Sequence, residues 1–222
     1  GDVKYKDISG PDGVPDGVID DYDKTNIGSP MPKFTFGWTN TFRYKNFDLS
    51  VFINGSYGNK VYNYLSMKLT HMNSPWTNQL NAVNGRAQLV PINPNKVYED
   101  GTMWYNDVSN VMVANPGASI PRATINDPND NDRISDRYIE DGSYIRLKNI
   151  SLGYTFPKKT IDKLGLSNLR IYANIQNLLT ITGYDGYDPE IGASTSSVNV
   201  YGLDNGRYPS PTVYSFGLNV SF

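Results

Sequence analysis

Cysteine is absent from the 222 residues. That excludes a disulfide scaffold, thiolate zinc sites, iron–sulfur ligation and cysteine nucleophiles. A single histidine, His71, excludes the usual multi-histidine metal enzymes and has no catalytic neighbours in sequence. Charge of one sign is lacking too. Twenty Lys and Arg against 22 Asp and Glu leave a net charge of −2, which is no footprint for nucleic acid. No 18-residue apolar run exists, so no transmembrane helix can be drawn. The opening GDVKYKD carries neither a signal peptide nor Met, as expected of a cut chain or a mature product. No triad, metal cluster or phosphate loop can be assembled, which argues against an enzyme. Present instead are 17 Tyr, 20 Gly and 14 Pro in a polar background. That composition points to an all-β chain with room for one domain or two small ones.

Five segments alternate with period two, the signature of a strand with one greasy and one wet side. In 34–44, Phe34, Phe36, Trp38, Phe42 and Tyr44 share a parity with Asn40, opposite Thr35, Gly37, Thr39, Thr41 and Arg43. In 47–58, Phe47, Leu49, Val51, Ile53 and Tyr57 oppose Asp48, Ser50, Asn54 and Ser56, with Phe52 the exception. Lys45–Asn46 alone separates the two, which predicts a tight hairpin. In 143–156, Ile150, Leu152, Tyr154 and Phe156 align, but Ile145 and Leu147 hold the other parity. Either a bulge lies near Lys148–Asn149 or the upper part has left the apolar layer. In 168–180, Leu169, Ile171, Ala173, Ile175 and Leu179 oppose Arg170, Tyr172, Asn174 and Gln176. In 212–222, Tyr214, Phe216, Leu218, Val220 and Phe222 oppose Ser215, Gly217, Asn219 and Ser221.

These segments exceed the roughly 5–6 residues common in soluble strands. They match the roughly 9–11 residues of a strand that crosses a bilayer. The connections are lopsided. Segments 59–142 and 181–211 are long, whereas Lys45–Asn46 and 157–167 are short, the latter with space for one helical turn. With Phe222 on the periplasmic side, parity sends 1–33, 59–142 and 181–211 outside and both short connections inside. Long external loops and short periplasmic turns are the habit of outer-membrane barrels. Segments 34–58, 143–180 and 212–222 are then the membrane-crossing parts.

Within the long loop, 59–72 suits a helix with Val61, Tyr62, Leu65 and Leu69 near one side. Trp76, Met103, Trp104 and Tyr105 suit either loop self-packing or a partner surface. NDPNDNDRISDR (126–137) reads as a solvated loop. Near the start, Asp12, Asp16, Asp20 and Asp23 have the spacing of positions 1, 5, 9 and 12 of a calcium loop, with Gly17 at the sharp turn and Ile19 at the apolar position. Val14 stands where a third-position oxygen ligand belongs, and Asp23 is shorter than the usual Glu. Ca²⁺ binding and a solvated turn cluster both remain open.

Three blocks carry a family resemblance: DGVIDDYDKTNIGSPMPKFTFGWTNTFRYKNFDLSVFINGSYGNKVYN (16–63), YIEDGSYIRLKNISLGYTFPKKTIDKLGLSNLRIYANIQNLLTITGYDGYDPEIG (138–192) and YPSPTVYSFGLNVSF (208–222). Together they resemble the C-terminal part of SusC/RagA-type TonB-dependent outer-membrane transporters of Bacteroidota. The stretch 64–137 matches weakly, and the GPDGVP insertion departs from the usual DxNGDGxID form. The resemblance implies the last five or so antiparallel strands of a barrel of about 22 strands. It implies import of glycans, oligosaccharides or peptides through the outer membrane. The partners implied are the rest of the barrel and its plug, a SusD-like lipoprotein lid, TonB acting through N-terminal parts, and lipid. Five strands alone cannot close a channel, so this stretch is not expected to transport by itself. Asp48, Ser50, Asn54, Arg170, Tyr172, Asn174 and Gln176 would face the lumen. Tyr184, Tyr187 and Asp188 would lie in a loop that reaches substrate or lid, and Phe222 would be the assembly signal. Two other readings fit the alternation: a soluble carbohydrate-binding β module with its aromatic faces in a dry core, and a calcium-stabilised surface domain.

Overall fold

A computed structural model describes residues 1–191 and 200–222. In chain order the elements are β1 (Phe34–Tyr44), β2 (Phe47–Tyr57), β3 (Lys60–Asn63), α1 (Tyr64–Thr70), β4 (Leu89–Pro91) and β5 (Val111–Val113). Then follow β6 (Ile139–Asp141), β7 (Tyr144–Thr155), α2 (Lys158–Ile161), β8 (Asn168–Thr182), β9 (Leu203–Asp204) and β10 (Val213–Ser221). They fall into two compact units, one of residues 28–63 with 139–222, the other of residues 1–27 with 64–138. Residues 192–199 of the predicted 181–211 connection lie outside the described residues.

The first unit is built on a five-stranded antiparallel sheet in the order β1-β2-β7-β8-β10. Its register carries one apolar row across successive strands. Trp38 pairs with Ile53, Ile53 with Leu147, and Leu147 with Leu179. Phe42 pairs with Leu49, Leu49 with Leu152, Leu152 with Ala173, and Ala173 with Phe216. The parity break in β7 is a bulge. Phe52 faces Asn149 while Ile53 faces Leu147, so Lys148 is the extra residue. It brings Ile145 and Leu147 back to the face of Ile150 and Leu152, because one added residue inverts alternation. β8 answers it at Asn177, which adopts φ 53°.

None of the buried apolar side chains among the described residues lies on these five strands; they are Val61, Met67, Ala87, Ile120, Tyr138, Ile161 and Tyr184. The apolar face is open. Trp38 is 55% exposed, Leu218 61% and Phe216 84%. A soluble β module would need that face covered, so its dry-core expectation is not met. Aromatics gather at the two ends of the strands. Phe34 and Tyr57 lie 5.4 Å apart at one end, and Phe47 and Tyr154 lie 4.7 Å apart at the other. From Phe34 to Tyr44, ten residue steps span about 33 Å along the strand. At the usual tilt of roughly 40° that gives an apolar band about 25 Å tall, the height of a barrel's lipid-facing band between its aromatic girdles.

Pairing of Phe34 with Tyr57, Ser56 with Tyr144 and Tyr144 with Thr182 shows that 1–33, 58–143 and the connection after Thr182 leave from one end. The hairpin at Lys45–Asn46 and the α2 connection occupy the other. The helix expected over 59–72 begins only at Tyr64. Lys60–Asn63 instead pair antiparallel with β6 and parallel with β9. Here sheet pairing overrides a local helical pattern.

In the second unit, β4 and β5 form a short antiparallel ladder, and Arg86 bridges to Ile120. The expectation of a solvated 126–137 also fails in part. Asn131 is 1% and Asp127 8% exposed, because both are drawn into a hydrogen-bonded cluster described below.

Candidate functional site

The sheet's second face is polar. By register it gathers Asp48, Ser50 and Asn54 from β2, Arg146, Asn149 and Ser151 from β7, and Arg170, Tyr172, Asn174 and Gln176 from β8. The seven residues expected to face a lumen therefore share one side. Arg170 and Asp48 join strands that are not neighbours. Nη2 donates to Oδ2 at 2.6 Å and Nε to Oδ1 at 3.2 Å. The pair crosses β7 above Gly153, where a Cβ would overlap both the guanidinium and the carboxylate. Glycine is required there for close approach, not for its backbone angles.

At the loop end of this face sits Arg146, 3% exposed. Its Nε donates to Thr180 Oγ1 at 2.8 Å, Nη1 to Glu190 Oε2 at 2.6 Å, and Nη2 to Asp188 Oδ1. Lys148, the bulge residue, donates to the same Glu190 oxygen at 2.7 Å. Asp188 further accepts from the backbone N–H of Glu190 at 2.9 Å and of Ser210 at 3.0 Å. Burial alone would raise its pKa. Arg146 and the two N–H donors outweigh that and hold it at about 2. The wall thus grips the connection after β8 through a buried ion pair in which each guanidinium nitrogen of Arg146 donates a hydrogen bond. Tyr184 turns inward as well, its hydroxyl donating to Asp204 at 2.5 Å. Burial first, then Asp204, pushes its pKa up. Of the three loop residues expected to reach substrate or lid, Tyr184 and Asp188 are buried and Tyr187 is 63% exposed. Phe222, beyond the last strand, is 93% exposed.

In the acidic stretch, Asp23 Oδ1 accepts from the N–H of Ile8 and Ser9, and Oδ2 from that of Asp20. The Ile8 donor, followed by the Asp20 donor, keeps its carboxyl below the ordinary range. Asp16 accepts from Val18 and Asp20 from Tyr22. The carboxylate turned onto the Gly17 N–H, at 2.6 Å, is that of Asp7, not Asp12. Asp7 Oδ1 is shielded from solvent and has no hydrogen-bond partner. Asp12 stands exposed. Asp7 stands outside the frame of Asp12, Asp16, Asp20 and Asp23, with the GPDGVP insertion between it and Asp16.

His71 is enclosed rather than isolated. Its Nε2 lies 2.7 Å from Asp127 Oδ2 and its Nδ1 3.5 Å from Asp132 Oδ2. Asn131 closes the cluster by donating to both Asp127 oxygens, from its backbone N–H and from Nδ2. Fifty-six residues separate His71 from Asp127, and no motif links them in sequence. Arg146 did leave a signal, since the charges of Arg-Leu-Lys mark the parity break.

Known proteins decide the family. TonB-dependent receptor P3 of Formosa agariphila is 36% identical over 211 residues, covering 93% of this chain and 18% of that protein. The chain belongs to the SusC/RagA family of TonB-dependent receptors. TonB-dependent receptor P26 of the same organism is 33% identical over all of this chain and 20% of its own length. TonB-dependent receptor SusC of Bacteroides thetaiotaomicron is 29% identical over 93% of this chain and 17% of its own. Among solved structures, the RagAB peptide importer in its closed-closed state superposes with TM-score 0.61 at 19% identity, over 96% of this chain and 20% of that one. Its open-open state gives 0.60 over the same shares. No protein-family model matches the chain. As in other members of the family, the five-stranded sheet is a part of a barrel wall. The chain spans about a fifth of the relatives it matches.

Proposed function

We propose that this SusC/RagA chain supplies wall strands and external loops to an outer-membrane importer of nutrient oligomers, glycans or peptides. A SusD-like lipoprotein covers the outside and TonB drives the cycle through parts of the protein beyond this stretch. One observation carries the reading. A five-stranded sheet presents an open apolar face about 25 Å tall, bounded by aromatics at both ends, and a hydrogen-bonding face opposite. Only lipid on one side and water on the other satisfy both faces. The names of the relatives, receptors and a peptide importer, support the same reading. Asp48, Asn54, Arg170, Tyr172, Asn174 and Gln176 then line the lumen, Tyr187 offers ring surface at the loop end, and Phe222 serves assembly. For the acidic stretch we propose that Ca²⁺ binding would have to rearrange Asp7, Asp16, Asp20 and Asp23, since no three of these carboxylates gather within reach of one ion among the described residues. The unpartnered Asp7 oxygen favours it.

The test is purification of the intact gene product from outer membranes. It is expected to require detergent, to show the heat-dependent gel mobility of a barrel, and to bring a lipoprotein with it. A water-soluble product without detergent would overturn the reading.

A further inference from the structure

His71 is the chain's one histidine, and it is 6% exposed. Its two ring nitrogens meet different carboxylates in different ways. Nε2 lies 2.7 Å from Asp127 Oδ2, a hydrogen bond. Nδ1 lies 3.5 Å from Asp132 Oδ2, beyond the roughly 2.7–3.2 Å of an N–H···O bond. It makes no hydrogen bond among the described residues. Asp127 is saturated, since besides His71 it accepts from the Asn131 N–H at 2.7 Å and from Asn131 Nδ2 at 2.6 Å. Asp132 is not. Its carboxylate accepts no hydrogen bond among the described residues, and its side chain is 35% exposed. Charge is unbalanced as well. Neither aspartate pairs with Lys or Arg among the described residues; Arg133 is turned to Asp130, and Arg122 holds Asp2. The backbone sets this arrangement. The His71 N–H closes the end of α1 on the Met67 carbonyl at 3.0 Å. A turn from Asp127 to Asp130, also closed at 3.0 Å, brings Asp132 round to the ring that Asp127 holds.

A carboxylate on one ring nitrogen fixes the tautomer and leaves the other nitrogen its lone pair. Here Asp127 takes the Nε2 proton, and the nitrogen left with the lone pair is Nδ1, beside Asp132. Two ligand atoms about 2.0–2.1 Å from one tetrahedral zinc ion lie about 3.4 Å apart. The Nδ1 and Oδ2 atoms are 3.5 Å apart. Imidazole combined with carboxylate suits a transition metal better than Ca²⁺ or Mg²⁺. We infer that His71 Nδ1 and the Asp132 carboxylate bind a divalent transition-metal ion of the Zn²⁺ type. Asp127 orients the imidazole, and water reaches the remaining coordination positions past the part-exposed Asp132. The ion supplies the positive charge that the two aspartates lack, and it ties the end of α1 to 126–132. The site does not depend on what the transporter imports.

The test uses the intact transporter in detergent, with ZnCl₂, CaCl₂ and MgCl₂ as probes. The readout is hydrogen exchange of 126–132, a local signal that metal bound elsewhere in the protein does not move. ZnCl₂ is expected to slow exchange there severalfold, and CaCl₂ and MgCl₂ to leave it unchanged. Asp132→Asn should abolish the response. Asp127→Asn should shift it to about ten- to a hundredfold higher ZnCl₂. Asp130→Asn, in the same segment but outside the cluster, should respond as wild type does. Each variant is compared with and without ZnCl₂, so a loop loosened by the substitution itself does not mimic loss of the ion. Barrel gel mobility checks that each is folded. A response absent from wild type at millimolar ZnCl₂, or one that survives Asp132→Asn, overturns the site. An equal response to CaCl₂ overturns the class of metal. An Asp127→Asn variant as sensitive to ZnCl₂ as wild type overturns the positioning role of Asp127.

Discussion

Trp38 and Thr39 are adjacent in β1 and point to opposite faces of the sheet. Trp38 lies four residues from Phe34 and six from Tyr44, so it sits near the middle of the apolar band. Its ring is 55% exposed, and what surrounds that exposed half decides the effect of a charge. In lipid, an arginine near the midplane costs about 2–4 kcal/mol, a factor of roughly thirty to several hundred in the folding equilibrium. In water, an exposed substitution usually stays within about 0.5 kcal/mol. Trp38→Arg is therefore expected to destabilise the intact transporter by about 2–4 kcal/mol, while Thr39→Arg on the wet face stays near zero. Trp38→Leu controls for loss of the indole and should lie far closer to wild type than Trp38→Arg. Urea unfolding in phospholipid vesicles, followed by tryptophan fluorescence and gel mobility, gives all three values. Equal values for the two arginines would refute the assignment of lipid to this face.

Four further expectations concern named contacts. A double-mutant cycle on Asp48→Asn and Arg170→Gln should give a coupling of about 1 kcal/mol, and Gly153→Ala should mimic its loss by displacing the pair. Asp188 has a folded pKa of about 2, below the roughly 3.9 of an unfolded chain. Its contribution is therefore complete above pH about 4 and lost as pH falls toward 2. Hydrogen exchange of 183–191 should rise over that window in wild type and be fast throughout in Asp188→Asn. His71→Gln should loosen 126–132, seen as faster hydrogen exchange there and no change in the sheet. In calorimetry with CaCl₂, Asp7→Asn should abolish binding while Asp12→Asn leaves it; the reverse order would restore the frame that begins at Asp12.

The sheet was legible because alternation is a local property, and each strand reports its own two faces. Phe34 to Tyr44 and Phe47 to Tyr57 needed no partner to be read as a hairpin. What escaped depends on pairings across long sequence separations. Lys60–Asn63 looked helical until β6 and β9 offered hydrogen bonds. Asn131 and Asp127 looked solvated because the groups that hold them lie far off in sequence, His71 for Asp127 and Val3 for Asn131.

The bulge at Lys148 shows why an irregularity in an otherwise regular pattern marks a working position. Without the extra residue, Ile145 and Leu147 would turn to the wet face and Arg146 to lipid, an arrangement that fails on both sides of the wall. With it, the apolar row continues unbroken to Ile145, while Arg146 and Lys148 converge on Asp188 and Glu190. A single inserted residue thus reconciles two demands of the same strand: to keep its apolar side chains on the open face, and to hold the connection after β8 against the wall. Deleting Lys148 should for that reason do more harm than Lys148→Ala, which removes one ion pair and keeps the register. If the two variants were equally stable in vesicles, the bulge would be incidental to the placement of Arg146.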